Sequence, residues 1–347
     1  MSDKLKVAEA TVRWALRGSA RRLRRARAAL LSPEPLAGSP AGTARSLSAS
    51  PRTPETVPAA ADVVSSGATP PLVSSAPADP LRQYLEGGRV AWSVGYKPYR
   101  NGELRRIVRD DALLATFRQG GLLPPRYAFG LDERLVEYPW VLARIPDGAG
   151  RVLDAGSTLN YPYLLDLPQL APKQVVIVTL APETMERRPN VSYLYDDLRD
   201  VVLRDAAFQT IVCISTLEHI GLDNTQLYTA DSRYAEGDQG GYRPALRELA
   251  RVLAPGGQLL LTVPFGMSEQ HGWLQQFDAA GVNEIAATFG HQPTEATFFR
   301  YDEDGWQLSD ARACADRSYY NVHAAGPPPA DCAAAARAVA CLVFTKP

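Results

Sequence analysis

Four short apolar runs constrain this chain more than any other feature: Arg151–Asp154 (RVLD), Val175–Leu180 (VVIVTL), Thr210–Ser215 (TIVCIS) and Gln258–Val263 (QLLLTV). They are short, aliphatic and without polar alternation, so each reads as a strand buried on both faces. Helical patterns separate them. Pro244–Leu253 is a helix stopped by Pro255-Gly256-Gly257, Gly281–Phe289 is another, and Thr297–Tyr301 and Val339–Thr345 are late strands. Residues 82–145 read as helices and turns, ending in an amphipathic helix, Leu131–Ile145, that Pro139 breaks. Strands alternating with helices give a parallel sheet covered on both faces, and right-handed crossovers make it a doubly wound α/β fold. No internal repeat is visible.

The first 80 residues follow other rules. Residues 1–31 carry Lys4, Lys6 and seven arginines against Asp3 and Glu9. An apolar stripe runs Leu5, Ala8, Val12, Leu16, Leu23, Ala26, Leu30 at helical spacing. This predicts a basic amphipathic helix, suited to peripheral contact with an anionic membrane or to pairing with another helix; a solvated tail helix is the plain alternative. Residues 32–80 hold ten prolines, many Ala and Ser, and no aromatic residue. Such a segment cannot bury enough apolar surface to offset its ordering entropy, and it is expected to be a disordered tether. The catalytic candidate is the domain over residues 81–347, with a helical lead-in over 81–148.

Charge and cysteine usage narrow the classes. Net charge is −1, which argues against a whole-chain nucleic-acid binder. No apolar run is long enough to span a bilayer, and no signal-peptide pattern opens the sequence, so a cytoplasmic protein is expected, with a place at the inner membrane face open to residues 1–31. Cys213, Cys314, Cys332 and Cys341 are far apart, as are His219, His271, His291 and His323. No metal-ligand spacing appears, and no metal is expected.

In a doubly wound sheet, ligands bind outside the carboxyl ends of the strands at the switch point. The residues to inspect are therefore 154–160, 179–183, 196–200, 215–220 and 264–266. The first of these, Asp154-Ala155-Gly156-Ser157-Thr158-Leu159-Asn160, is an acid followed by a small-residue turn. Gly156 permits a tight turn and close backbone approach. Thr158 and Asn160 stand where a dinucleotide fingerprint needs further glycines, which weighs against a pyrophosphate there. Asp154 suits a cationic or hydroxyl-bearing ligand, or simply caps the turn.

Taken together, VLDAGS, TLAPE, DLRDVVLRDAAFQTIVCISTLEHIG and LARVLAPGGQLLLTVPFG resemble successive motifs of class I S-adenosylmethionine-dependent methyltransferases over about residues 125–345. The nearest pattern is the type 11-like group. GLDERLVEYPW and HGWLQQFD look like bacterial members associated with cell-surface polysaccharide genes. The resemblance implies a Rossmann-like, mostly parallel seven-stranded sheet and S-adenosyl-L-methionine as cofactor. It implies that Asp154, Gly156 and Ser157 meet the methionine and sulfonium end, that Asp197 and Leu198 meet the adenine, and that Ser215 and Thr216 lie beneath the cofactor. Thr179 falls where the family has an acid for the ribose; Glu183 is the candidate to compensate.

A sulfonium methyl is already activated, so the protein's task is alignment and exclusion of water. A hydroxyl acceptor also needs a base. His219 and His271 are the candidates, with Glu218 orienting His219 or serving itself; a structural role for His219 stays open. Arg134, Glu137 and Trp273 are candidate acceptor contacts, since aromatic faces beside polar groups suit a sugar. The expected partner is a small-molecule or glycan acceptor, methylated on oxygen. The competing readings are an NAD-dependent sugar oxidoreductase and a non-catalytic scaffold of the same fold.

Overall fold

The computed structural model describes residues 79–225, 230–324 and 326–347. The expected basic helix over 1–31 and all of the expected tether but its last two residues lie outside them.

Among the described residues four helices come first: α1 (Pro80–Glu86), α2 (Tyr96–Ile107), α3 (Asp111–Gln119) and α4 (Arg134–Leu142). Then follow β1 (Arg151–Ala155), α5 (Pro162–Leu165), β2 (Gln174–Thr179), β3 (Val191–Tyr195) and β4 (Phe208–Ile214). Next come α6 (Tyr242–Val252), β5 (Leu253–Pro264), the small hairpin β6 (Glu269–Gln270) and β7 (Gln275–Gln276), and α7 (Ala279–Phe289). The chain finishes with β8 (Glu295–Asp302), β9 (Gly305–Ser309), α8 (Ala311–Cys314) and β10 (Ala338–Thr345).

The main sheet runs in the order β3-β2-β1-β4-β5-β10-β8-β9. β1 to β5 are mutually parallel, whereas β10 pairs antiparallel with β5 and β8, and β9 is antiparallel to β8. The sheet therefore has eight strands, which corrects the expectation of seven. β9 is the addition, closing a hairpin on β8 through Asp302–Gly305. The order reverses between β1 and β4, and that is where the fold opens its crevice.

Alternate residues of each central strand feed two cores. Val212 and Ile214 of β4 face the lead-in helices, Trp140 and Leu164. Ile211 and Cys213 face Leu246, Leu249 and Val252 of α6 and Ile285 and Phe289 of α7.

The lead-in departs from expectation at Pro139, which lies inside α4 rather than breaking it. A proline at this position cannot donate to the carbonyl four residues earlier, that of Leu135. The Tyr127 hydroxyl donates to that carbonyl at 2.7 Å and supplies the missing bond. Among the described residues, no helix is long and apolar enough to cross a membrane.

Candidate functional site

A cleft of about 590 Å³ opens at the carboxyl ends of β1, β2 and β4, on the switch point. Its apolar walls are Val178, Leu180, Leu198 and Ile220; its polar groups are Thr179, Asp196, Asp197, Arg199, Thr216, His219, Asn224 and Tyr234.

The turn after β1 is built inward. Asp154 is fully buried; one carboxylate oxygen accepts from the Thr158 amide and hydroxyl, both at 3.0 Å, and the other from the Leu159 amide at 2.7 Å. Burial pushes this carboxyl up to about 7, against the pull of those three donors toward the ionised form. The Asp154 carboxylate thus shapes the loop and is absent from the cleft wall among the described residues. Gly156 reaches the wall with φ of 122° and its amide donating to Val178 O at 2.9 Å. A Cβ here would fall 2.1 Å from Thr216 Oγ1, so only glycine lets the β1 and β4 turns meet this closely. Ser157, at φ 61°, has a buried hydroxyl oxygen with no hydrogen-bond partner.

Asp197 and Leu198 both line the cleft. Asp197 accepts from the Arg199 amide at 2.9 Å and pairs with its guanidinium at 2.7 Å, and Arg199 also binds Glu236 at 2.7 Å. This bridge ties the turn after β3 to the segment before α6. Thr179 lines the cleft, its hydroxyl 3.4 Å from Ala181 O. Glu183 is exposed and outside the wall, so its side chain does not compensate for Thr179 in this arrangement. Asp196, Gly221, Asn224 and Tyr234 complete the wall. The first belongs to an inspected strand end. The other three come from the segment between β4 and α6, where the sequence shows no periodic signal.

Beneath this cleft lies a buried ionic cluster. Ser215, at φ 37°, donates its hydroxyl to Glu137 at 2.6 Å; Thr262 of β5 donates to the same oxygen at 2.7 Å; Arg134 binds the other at 2.6 Å. Glu137, fully buried, is thereby a clamp between α4 and the ends of β4 and β5. Burial opposes the charge on Arg134, but Glu137 and Glu133 hold it firmly protonated. Burial pushes Glu133 upward, and it pushes Glu218 to about 8, with Arg134 pulling the latter down and Glu137 and Glu133 pushing it up. Both have a buried carboxyl oxygen without a hydrogen-bond partner.

His219 sits on the cleft wall with its Nδ1 2.9 Å from Trp273 O. A carbonyl only accepts, so Nδ1 carries the proton and the neutral ring presents a lone pair at Nε2. Nε2 is 3.9 Å from Glu218 Oε1. Burial depresses the ring's pKa to about 4, so His219 is neutral at pH 7.

Trp273 is 8% exposed, stacks on His219 at 5.4 Å and donates its indole N–H to Asn321 at 3.2 Å; it backs His219 rather than offering a free ring face. His271 lies farther out. It is linked to Trp273 through Tyr319, is held by Glu269 at 3.0 Å, and is not part of the cleft wall among the described residues. The structure therefore brings His219, Glu218 and Arg134 to one place and leaves His271 behind two rings. No group of three or more His, Cys, Asp or Glu among the described residues is placed to hold a metal ion.

No protein-family model matches the chain, and no curated protein matches it. Solved structures similar to it include a complex containing the Haloferax volcanii Trm112 methyltransferase activator, at 16% identity, covering 71% of this chain and 98% of that one, with a TM-score of 0.39. A SAM-dependent methyltransferase of Methanosarcina mazei matches at 10% identity, covering 59% and 97%, with a TM-score of 0.35. The Burkholderia thailandensis 1,6-didemethyltoxoflavin-N1-methyltransferase, with S-adenosylhomocysteine bound, matches at 13% identity, covering 57% and 72%, with a TM-score of 0.33.

Proposed function

We propose that this chain is an S-adenosylmethionine-dependent methyltransferase acting on a hydroxyl of a small polar acceptor, a sugar hydroxyl included. The observation that carries this reading is the inward-turned loop after β1. The Thr158 and Leu159 amides are consumed by Asp154, so the loop offers no outward nest of N–H groups for a pyrophosphate. On the wall, Arg199 is paired with Asp197 and Glu236, and Asp196 accepts from the Asp197 and Val202 amides, so among the described residues no cation there is left over for a phosphate. An apolar slot edged by polar groups suits instead a nucleoside without a phosphate. S-adenosylmethionine is such a molecule, and the residues present fit it. Val178, Leu198 and Ile220 would flank the adenine, Thr179 would meet the ribose, and Gly156 and Thr216 would lie along the methionine end. When bound, this cofactor supplies an activated methyl group.

The chain's own residues align the acceptor and hold its proton. His219 Nε2 accepts the hydroxyl hydrogen, and Glu218, 3.9 Å away, stabilises the resulting imidazolium once its own carboxyl is ionised. Arg134, anchored by Glu137, sets the local field. Residues 1–31, with nine basic side chains, are proposed to give peripheral contact with anionic lipid, which salt-sensitive flotation with anionic vesicles would test.

Calorimetry with S-adenosylmethionine, S-adenosylhomocysteine and NAD tests the cofactor. Methyl transfer from labelled cofactor to a panel of sugars, polyols and amines tests the acceptor. Binding of NAD in preference to S-adenosylhomocysteine refutes the reading; cofactor binding without transfer to any acceptor would favour the scaffold.

A further inference from the structure

Charge is unevenly spread over the folded domain. Residues 79–126, which hold α1 to α3, carry nine basic and five acidic side chains, whereas residues 127–347 carry 17 and 28. A domain charged in this way approaches an anionic surface with its lead-in foremost.

The same lead-in presents apolar residues to solvent. Ten large apolar side chains are exposed among the described residues, and five of them, Leu81, Leu85, Val90, Trp92 and Val94, fall between residues 81 and 94; the others are scattered from Leu122 to Met267. Single exposed apolar residues are ordinary, but a group of them marks a contact surface.

Local structure holds this group together. Leu81 and Leu85 lie one turn apart on α1, both exposed, while Tyr84 between them is buried. The turn after α1 folds back on the helix through the Arg89 amide, which donates to Tyr84 O at 3.1 Å. Gly95, at φ 90°, then passes so close to the start of α1 that a Cβ there would fall 1.8 Å from Pro80 O, so the backbones of Val94 and Leu81 both adjoin this contact. Trp92 rests on Tyr96 at 4.7 Å and donates its indole N–H to Ala334 O at 2.6 Å, which fixes it with 38% of its surface in solvent. Arg82 and Lys97 are exposed beside these residues. The ion pair of Arg82 with Glu86 is solvent-exposed on both sides and therefore easily exchanged.

We infer that the face formed by α1 and the turn over residues 87–95 docks on an anionic lipid surface. Leu81, Leu85, Trp92 and Val94 enter the headgroup boundary, and Arg82 and Lys97 meet lipid phosphates. Tryptophan flanked by basic residues is the pairing that such a boundary favours. Charge disfavours the nearer occupants. Residues 1–31 hold nine basic side chains against two acidic, and a second copy joined through the same face would bring an equally basic lead-in. The inference adds the folded domain to the lipid contact proposed for residues 1–31 and stands without that contact.

The test uses the full chain carrying Trp14→Phe, which leaves Trp92 as the exposed tryptophan, since Trp140, Trp273 and Trp306 are buried. The probe is a vesicle of phosphatidylcholine and phosphatidylglycerol with acyl chains brominated near the headgroup; brominated phosphatidylcholine alone is the neutral arm. Quenching of Trp92 on the anionic vesicles only, reduced by salt, is expected. Leu85→Gln with Val94→Gln should abolish the quenching and weaken vesicle binding about tenfold at an unchanged melting temperature. Lys97→Glu, a single change at an exposed position, should weaken binding by roughly as much. Vesicle binding that leaves Trp92 unquenched overturns the inference and leaves the contact of residues 1–31 standing. Quenching and affinity that survive Arg21→Glu, Arg22→Glu, Arg24→Glu and Arg25→Glu together support the face and remove that contact. No binding by the parent overturns both. Quenching unchanged by Leu85→Gln with Val94→Gln also overturns the inference. A dimer in sedimentation equilibrium that this pair dissociates would give the face to a second copy instead, and a Trp92 quenched only after the four charge reversals would give it to residues 1–31.

Discussion

Glu218→Gln separates the two things asked of Glu218, its burial and its chemistry. Its carboxyl is raised from 4.5 to about 8, chiefly by burial. The folded state keeps this proton up to about pH 8, whereas the unfolded chain gives it up near 4.5. The unfolded state therefore binds fewer protons in that window, and stability is lost as pH rises through it. At roughly 1.36 kcal/mol per unit, the full shift amounts to on the order of 5 kcal/mol at high pH. Glutamine has the shape of the protonated acid and removes the titration. The variant should melt like the parent at pH 5 and progressively higher than it above that, by as much as roughly 10 °C at pH 8.5. Asp154 titrates upward in the parent and in the variant alike, so the difference between the two melting profiles reports Glu218 together with its repulsion of Glu133. Scanning calorimetry across pH 5 to 8.5 reads it directly, and parallel profiles would refute the buried-acid argument. Catalysis gives the second readout. With an acceptor in hand, single-turnover transfer should rise with pH toward about 8 in the parent. In the variant it should be flat and lower by roughly 10²–10⁴-fold. A changed melting profile with unchanged transfer would leave Glu218 a structural acid and remove it from the reaction.

Asp154→Ala should destabilise the domain by about 2–4 kcal/mol in urea titration, because two amides and a hydroxyl lose their acceptor in a closed interior, and S-adenosylhomocysteine affinity should fall with it; an unchanged urea midpoint would mean that the turn does not need the carboxylate. Gly156→Ala should weaken S-adenosylhomocysteine binding by at least about tenfold through strain at φ 122° and collision with Thr216, and Thr216→Ala should restore part of the loss; no rescue would place the effect elsewhere than this contact. Glu137→Ala should cost about 3–5 kcal/mol by stranding Arg134, Ser215 and Thr262, and a cost under about 1 kcal/mol would refute the clamp.

The strands that are continuous in the sequence are the ones buried on both faces, and β1, β2, β4, β5 and β10 were legible for that reason. β3 was not, because it is the half-exposed edge and Ser192 interrupts its apolar character. β9 was not, because it is a short outer strand whose only fully buried side chain of size is Trp306. Reading α4 as a broken helix was sound local chemistry overruled at a distance: the bond that Pro139 cannot make is made by Tyr127. The parallel strand ends likewise told where to look, since Gly156, Thr179, Asp197, Leu198, Thr216 and His219 all line the cleft. They could not tell which way a side chain turns. Asp154 spends its oxygens on the loop behind it, Ser215 gives its hydroxyl to a helix 78 positions earlier, and Glu137 reaches across to a strand 125 positions later.

That inward turning bears on chemistry as well as on reading. Here Asp154 and Glu137 are absorbed by the framework, while the Glu218 carboxyl stays buried with one oxygen unpartnered, 3.9 Å from a neutral imidazole whose tautomer is fixed by Trp273. Burial raises Asp154 as well as Glu218, but the Asp154 oxygens are spent on the loop, whereas Glu218 keeps one buried oxygen without a hydrogen-bond partner. His219, which lines the cleft with Glu218 3.9 Å from its Nε2, is thereby favoured over His271, which is tied to Glu269 and is not part of the cleft wall among the described residues, as the group that handles the acceptor's proton.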